Sequence, residues 1–165
     1  MSVEKSLVKQ EIKKTGFWKF SDLYTFCFDA FRDEGYKLIE KKYTEKIKTE
    51  GKEIIIEWEC KKKISDYFRY VVKLDWHILG MKDAEVERDG KRESTNKGEV
   101  KIKFDAILER DYEDNWDKKP FWKFMRGIYD KYVIRTTIDE YEKELFKDAM
   151  SIIKDVKSFL ELSSN

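Results

Sequence analysis

Two hydrophobic periods alternate along the chain. From Ser21, apolar residues recur three and four positions apart as Leu23, Phe26, Cys27, Ala30 and Phe31, ahead of Gly35. That spacing gathers them on one side of a helix over 22–34, with Ser21 as its N-cap and Gly35 as its C-terminal stop. The period then falls to two. Ile54, Ile56, Trp58 and Cys60 share one parity in 53–62, and Phe68, Tyr70, Val72, Leu74, Trp76 and Ile78 share one in 67–79. Such alternation predicts strands with one buried face. A short turn at Ile64-Ser65-Asp66 would set Ile54 opposite Trp76, Ile56 opposite Leu74, Trp58 opposite Val72 and Cys60 opposite Tyr70. All four pairs lie on one apolar face, and Glu57 meets Lys73 on the other, as cross-strand pairing favours. A slip of one residue would turn every apolar side chain outward.

The same reading extends both ways. Ile39, Tyr43 and Ile47 give a further strand, joined onward through Thr49-Glu50-Gly51-Lys52. Asp89-Gly90 is a hairpin turn between short polar strands near 84–88 and 91–95. Val100, Ile102, Phe104, Ala106 and Leu108 then alternate with Lys101, Lys103, Asp105 and Glu109. Residues 2–14 fit an edge strand better than a short helix. The last third returns to the helical period. Asp117 and Pro120 open a helix near 120–133, proline suiting its first turn. Thr137-Ile138-Asp139-Glu140 has the form of a capping box, and Ile138, Tyr141, Leu145, Ala149, Ile152, Val156 and Leu160 run as a stripe beyond it. The expected architecture is α+β: an antiparallel meander of about six strands with helices on one face. No linker interrupts residues 1–165, which read as one domain. Phe17-Trp18-Lys19-Phe20 recurs as Phe121-Trp122-Lys123-Phe124, each copy at the start of an expected helix.

The order strand, helix, about six strands, helix, long helix resembles the helix-grip plan of START-type lipid-binding domains. The resemblance spans the chain but rests on element order, and the helix at 120–133 departs from it. It implies a curved sheet wrapped around the C-terminal helix with an apolar cavity beneath. It carries over no functional residue. A plain two-layer α+β sandwich has the same order of elements.

Composition narrows the chemistry. The 165 residues hold 35 Lys+Arg against 34 Asp+Glu, a net charge of +1, which argues against a generally basic nucleic-acid binder. Aromatics at 15% argue for a folded core. Two cysteines, Cys27 and Cys60, and one histidine exclude a zinc finger or a disulfide framework. No leader-like apolar run follows Met1 and no apolar stretch is long enough to span a bilayer, so a reducing cytoplasm is the expected compartment. The Lys/Glu/Ile-rich composition fits a thermophile or a low-GC genome. No nucleotide-binding glycine loop, GxSxG or HExxH is present, and no cofactor or metal is expected.

Four groups of residues carry candidate chemistry. His77, on the charged face opposite Glu53 and two residues from Asp75, could act as a general acid or simply join a solvated ion pair. Glu109, Asp111, Glu113, Asp114 and Asp117 lack the glycine of a calcium loop and read as a solvated stretch. Tyr43, Trp58, Phe68, Tyr70, Trp76 and Phe104 lie on the apolar sheet face, as core or as the lining of a ligand cavity. The segment 118–135 holds Phe121, Trp122, Lys123, Met125, Arg126 and Tyr129, more apolar surface than one sheet face can cover. Charge changes sign abruptly there: residues 104–117 contain six acidic and one basic residue, residues 118–135 six basic and one acidic. The leading expectation is a non-enzymatic binding domain for a lipid or other apolar molecule. The alternative is an interaction or assembly module whose basic aromatic segment meets a protein, a second copy or an anionic membrane. An enzyme using His77, Asp75 and Glu53 is the weaker reading.

Overall fold

The long two-residue period produces four consecutive strands, and the flanking helical patterns lie against one side of them. The computed structural model describes residues 3–110, 123–125, 127–128 and 135–163. These form β1 (Val3–Phe17), α1 (Phe20–Asp33), β2 (Lys37–Lys48), β3 (Gly51–Lys63), β4 (Phe68–Arg88), β5 (Lys91–Arg110) and α2 (Arg135–Ser163); the described residues of 123–128 are helical as well. The sheet is antiparallel with order β1-β5-β4-β3-β2. The α+β class is as expected, with five strands in place of about six.

The strand count differs because two strands continue where polar sequence had indicated breaks. The stretches 84–88 and 91–95 are the far ends of β4 and β5, joined by Asp89 and Gly90 at φ 52° and 75°, the left-handed pair of a tight hairpin. The continuation passes through an irregularity between Leu79 and Lys82. Gly80 has φ 63° there, and Gly51, at φ 128°, packs so closely that a Cβ would lie 2.6 Å from the Gly80 carbonyl carbon. Bulges bend a strand without ending it. Every neighbouring pair in this sheet has one such irregularity.

The β3–β4 hairpin forms on the expected face but in a different register. Ile54 faces Ile78, Ile56 faces Trp76, Trp58 faces Leu74 and Cys60 faces Val72. Relative to the sequence reading β4 has moved by two residues, which preserves side-chain parity. The cause is the turn: Lys63 pairs with Arg69, leaving five residues between them rather than a tighter connection. The N–H groups of Ile64 and Ser65 both donate to the Phe68 carbonyl, and Ser65 Oγ accepts from the N–H groups of Tyr67 and Phe68. Glu57 consequently faces Asp75, not Lys73, which faces Glu59.

Apolar rows cross the whole sheet. One runs Tyr43, Ile56, Trp76, Ile102, Ile12; the next runs Glu40, Trp58, Leu74, Phe104, Gln10. Both helices cover this face and join one core with it: Leu23, Cys27 and Phe31 from α1, and Leu145, Ala149, Ile152, Ile153, Val156 and Leu160 from α2. Phe26 and Phe159 stack between the helices at 4.6 Å. Each large side chain so buried contributes about 1.5–3 kcal/mol, and the C-terminal stripe is buried from Leu145 to Leu160, with Ile138 and Tyr141 half-buried against the same core.

The helix ends are set partly by distant residues. α1 begins at Phe20, one turn position before Ser21 could cap it, and Lys19 offers no side-chain cap. Asn96 of β5 does so instead: its Oδ1 accepts the Phe20 N–H at 2.9 Å, and its carbonyl accepts the Trp18 N–H at 3.1 Å. The other end stops at Gly35 as expected, with φ 88° and the Tyr36 N–H donating back to Phe31 O. α2 already runs from Arg135, so Thr137 lies inside the helix and not at its cap.

Candidate functional site

The six aromatics expected on the apolar face separate into two groups along the strands. At one end Trp58 and Trp76 lie 5.1 Å apart, and Tyr24 of α1 meets Trp58 edge-on at 5.0 Å and Trp76 at 6.2 Å. Glu40 Oε1 accepts from both the Tyr24 hydroxyl at 3.0 Å and Trp58 Nε1 at 3.3 Å. Burial first, and Glu40 second, push the Tyr24 phenol up to about 12. Trp76 is 1% exposed, and its Nε1 has no hydrogen-bond partner among the described residues. Tyr43 continues the Trp76 row onto the edge strand, where it is 44% exposed and its hydroxyl donates to Glu45. Burial, then Glu45, raises its phenol.

At the other end Phe68 and Tyr70 meet Tyr141 of α2, with centroids 5.0 and 6.3 Å away. The Tyr70 hydroxyl donates to Glu144 Oε2 and the Tyr36 hydroxyl to Asp148 Oδ2, each at 3.2 Å. Lys62 Nζ lies 3.9 Å from both carboxylates and over the Tyr36 ring. Burial pushes both phenols up, and it also raises the Asp148 carboxyl, against the opposing pull of Lys62 and the Tyr36 hydroxyl. This cluster ties α2 to β3, β4 and the residue ahead of β2. Phe104 lies in the same cross-sheet row as Trp58, buried beside Leu74.

Sequence reasoning missed Tyr24, Glu40, Tyr36, Lys62, Glu144 and Asp148. For Glu40 the reason is specific. Ile39, Tyr43 and Ile47 share parity in sequence, but an irregularity between Glu40 and Lys42 switches the face. Leu38 and Glu40 therefore join the core side with Tyr43, while Ile39 falls opposite Glu59 on the charged side. A bulge of this kind leaves no hydrophobic signature of its own.

His77 lies on the charged face as expected, with its backbone opposite Ile55 rather than Glu53. Its Nε2 still reaches Glu53 Oε2 at 3.4 Å, and Lys48 approaches the same oxygen at 3.2 Å. Glu53 is lowered chiefly by the Lys48 hydrogen bond. Asp75 lies between Glu57 and Lys103 in the sheet register. A shallow depression of about 340 Å³ on this face is lined by Lys9, Glu11, Lys73, Asp75, Lys103 and Asp105, whose signs balance. Cys27 and Cys60 are free, buried thiols raised by burial, Cys27 also by the neighbouring Cys60; neither is activated as a nucleophile.

Of the acidic stretch, Glu109 is buried and takes both Nη2 and Nε of Arg69, at 2.7 and 3.0 Å; Asp111, Glu113, Asp114 and Asp117 lie outside the described residues. Among the described residues no group of three or more side chains is placed to hold a metal ion, and no helix is long and apolar enough to cross a membrane. Phe121, Trp122, Arg126 and Tyr129 of the basic segment also lie outside them. Lys123 is exposed, Met125 half-buried, and Phe124 and Ile128 are exposed.

Scans against protein-family models, curated proteins and solved structures each gave no match.

Proposed function

We propose that this chain is a non-enzymatic binding domain of the helix-grip kind, holding an apolar molecule that carries one oxygen acceptor against the Tyr24–Trp58–Trp76 group. The carrying observation is Trp76 Nε1, buried in the apolar core with no hydrogen-bond partner among the described residues. A buried donor left without a partner costs about 1–3 kcal/mol, and a ligand carbonyl or carboxylate would recover that. Tyr24 is the only partly exposed member of the group, and its hydroxyl is held by Glu40 on the edge strand; rotating it would uncover Trp76. Irregularities in all four strand pairs also favour a curved sheet beneath the helices.

Titration with oleate, followed by quenching of tryptophan fluorescence, tests this together with native mass spectrometry of freshly purified protein. Oleate should quench saturably, and Trp76→Phe should weaken binding about tenfold or more, the worth of a hydrogen bond to a charged acceptor. No quenching together with repeated absence of any co-purifying apolar molecule would defeat the reading.

One observation favours the interaction-module alternative. Phe124 is 65% exposed and Ile128, four residues on, is exposed as well, both within the segment of six basic and one acidic residue. Under that reading the protein self-associates in sedimentation velocity and Phe124→Ser renders it monomeric.

A further inference from the structure

The two edges of the sheet are treated differently. β1 lies against α2, through Lys5 with Glu142 at 2.8 Å and Gln10 Nε2 with Met150 Sδ at 3.4 Å. β2 is largely exposed over 42–48. Beyond its irregularity, Lys42–Lys48 pairs with β3 without a break, and among the described residues no strand pairs with its outer side. Tyr43, Glu45 and Ile47 share the core side of this stretch, while Lys42, Thr44, Lys46 and Lys48 share the charged side. Ile47 is 85% exposed, and Phe28 of α1 and Ile39 of β2 are further exposed apolar residues on these two elements.

Charge selects the occupant. β2 holds five lysines and two glutamates, and Lys37, Lys42 and Lys46 make no ion pair among the described residues, whereas Lys41 and Lys48 bind Glu59 and Glu53. A second copy is a poor fit. Each antiparallel register that keeps core side with core side and pairs at least five residues of 42–48 with their own copy sets a lysine opposite a lysine, and the register matching Tyr43 to Ile47 also opposes Glu45 to itself. Like charges directly opposite destabilise a sheet. Lysines alone would serve to block edge pairing, but blocking does not require an uncovered Tyr43 and Ile47 on the other side.

We propose that the outer edge of β2 over residues 42–48 docks an extended acidic peptide of another protein as an added strand, its carboxylates facing Lys42 and Lys46 and its alternate apolar side chains facing Tyr43 and Ile47. Backbone hydrogen bonds hold such a strand and alternate side chains select it. The test uses a fluorescein-labelled ten-residue peptide alternating glutamate and valine, with a control of the same composition in two blocks. Fluorescence anisotropy should show saturable binding of the alternating peptide, weakened by salt, with the block peptide at least tenfold weaker. Lys42→Glu with Lys46→Glu should weaken binding at least tenfold, and Ile47→Ser severalfold, in proteins whose melting temperatures match the parent. Amide exchange within 42–48 should slow on binding. Absence of binding, equal binding of the block peptide, or an unaffected double-lysine variant would each overturn the proposal. A dimer that Ile47→Ser dissociates would overturn it in favour of self-pairing.

Discussion

Gly51 and Gly16 form a natural experiment in what holds the bent sheet together. Their backbones are nearly the same, φ 128° and 130°, a region that L side chains rarely adopt. Their surroundings are not. Among the described residues a Cβ on Gly16 would meet nothing within 4 Å; one on Gly51 would lie 2.6 Å from the Gly80 carbonyl carbon, 2.8 Å from its oxygen and 2.9 Å from the Met81 oxygen. All three are backbone atoms that cannot rotate away. Gly16→Ala should therefore cost only the conformational penalty, about 1–3 kcal/mol. Gly51→Ala adds a steric penalty of about 1–3 kcal/mol, the usual cost of overpacking. Urea unfolding followed by tryptophan fluorescence measures both, since Trp18, Trp58 and Trp76 are all buried. With a slope of about 2 kcal/mol per molar urea, Gly16→Ala should lower the midpoint by about 0.5–1.5 M and Gly51→Ala by about 1–3 M. Equal midpoints for the two variants would refute the argument that the β2–β3 turn is pressed against the bulge of β4.

Two further predictions concern the helices. Asn96→Ala should destabilise by about 1 kcal/mol through loss of the α1 cap, while Ser21→Ala should change stability by less than about 0.5 kcal/mol; a Ser21 effect as large as that of Asn96 would show the cap to be wrongly assigned. Asp148 is raised above its ordinary 3.8 by burial, so the folded state favours its protonated form. The cost of keeping it ionised is full above the raised value, shrinks as pH falls through it and vanishes below the ordinary one. Asp148→Asn, whose amide oxygen can still accept the Tyr36 hydroxyl, should therefore gain urea midpoint relative to the parent between pH 3.5 and pH 7; an unchanged difference across that range would argue against burial as the cause.

The candidate site was only partly legible. Trp58 and Trp76 fall on the apolar face by parity alone, and no register error could move them off it while the slip was even. Their partners could not be read. Tyr24 belongs to a helix whose rotation about its axis is fixed by Leu23, Cys27 and Phe31 meeting the sheet. Glu40 reaches the core side only because β2 bulges beside it. The set that appeared as one lining, from Tyr43 to Phe104, is divided by the length of the strands.

What the sequence determined by itself is periodic: the helical stripes of α1 and α2, the faces of β3, β4 and β5, the Asp89-Gly90 hairpin and the stop at Gly35. Each depends on residues within a few positions of one another, so local geometry suffices. Tertiary structure decided the rest. The register of β3 on β4 follows from hydrogen bonds inside one turn, the α1 cap comes from Asn96 far along the chain, and β4 continues through Gly80 because Gly51 and Gly98 leave room beside it. The cap and the continuation depend on contacts between distant segments, the register on hydrogen bonds that hydrophobic periodicity does not record, since periodicity shows which way a side chain faces and not which residue it meets.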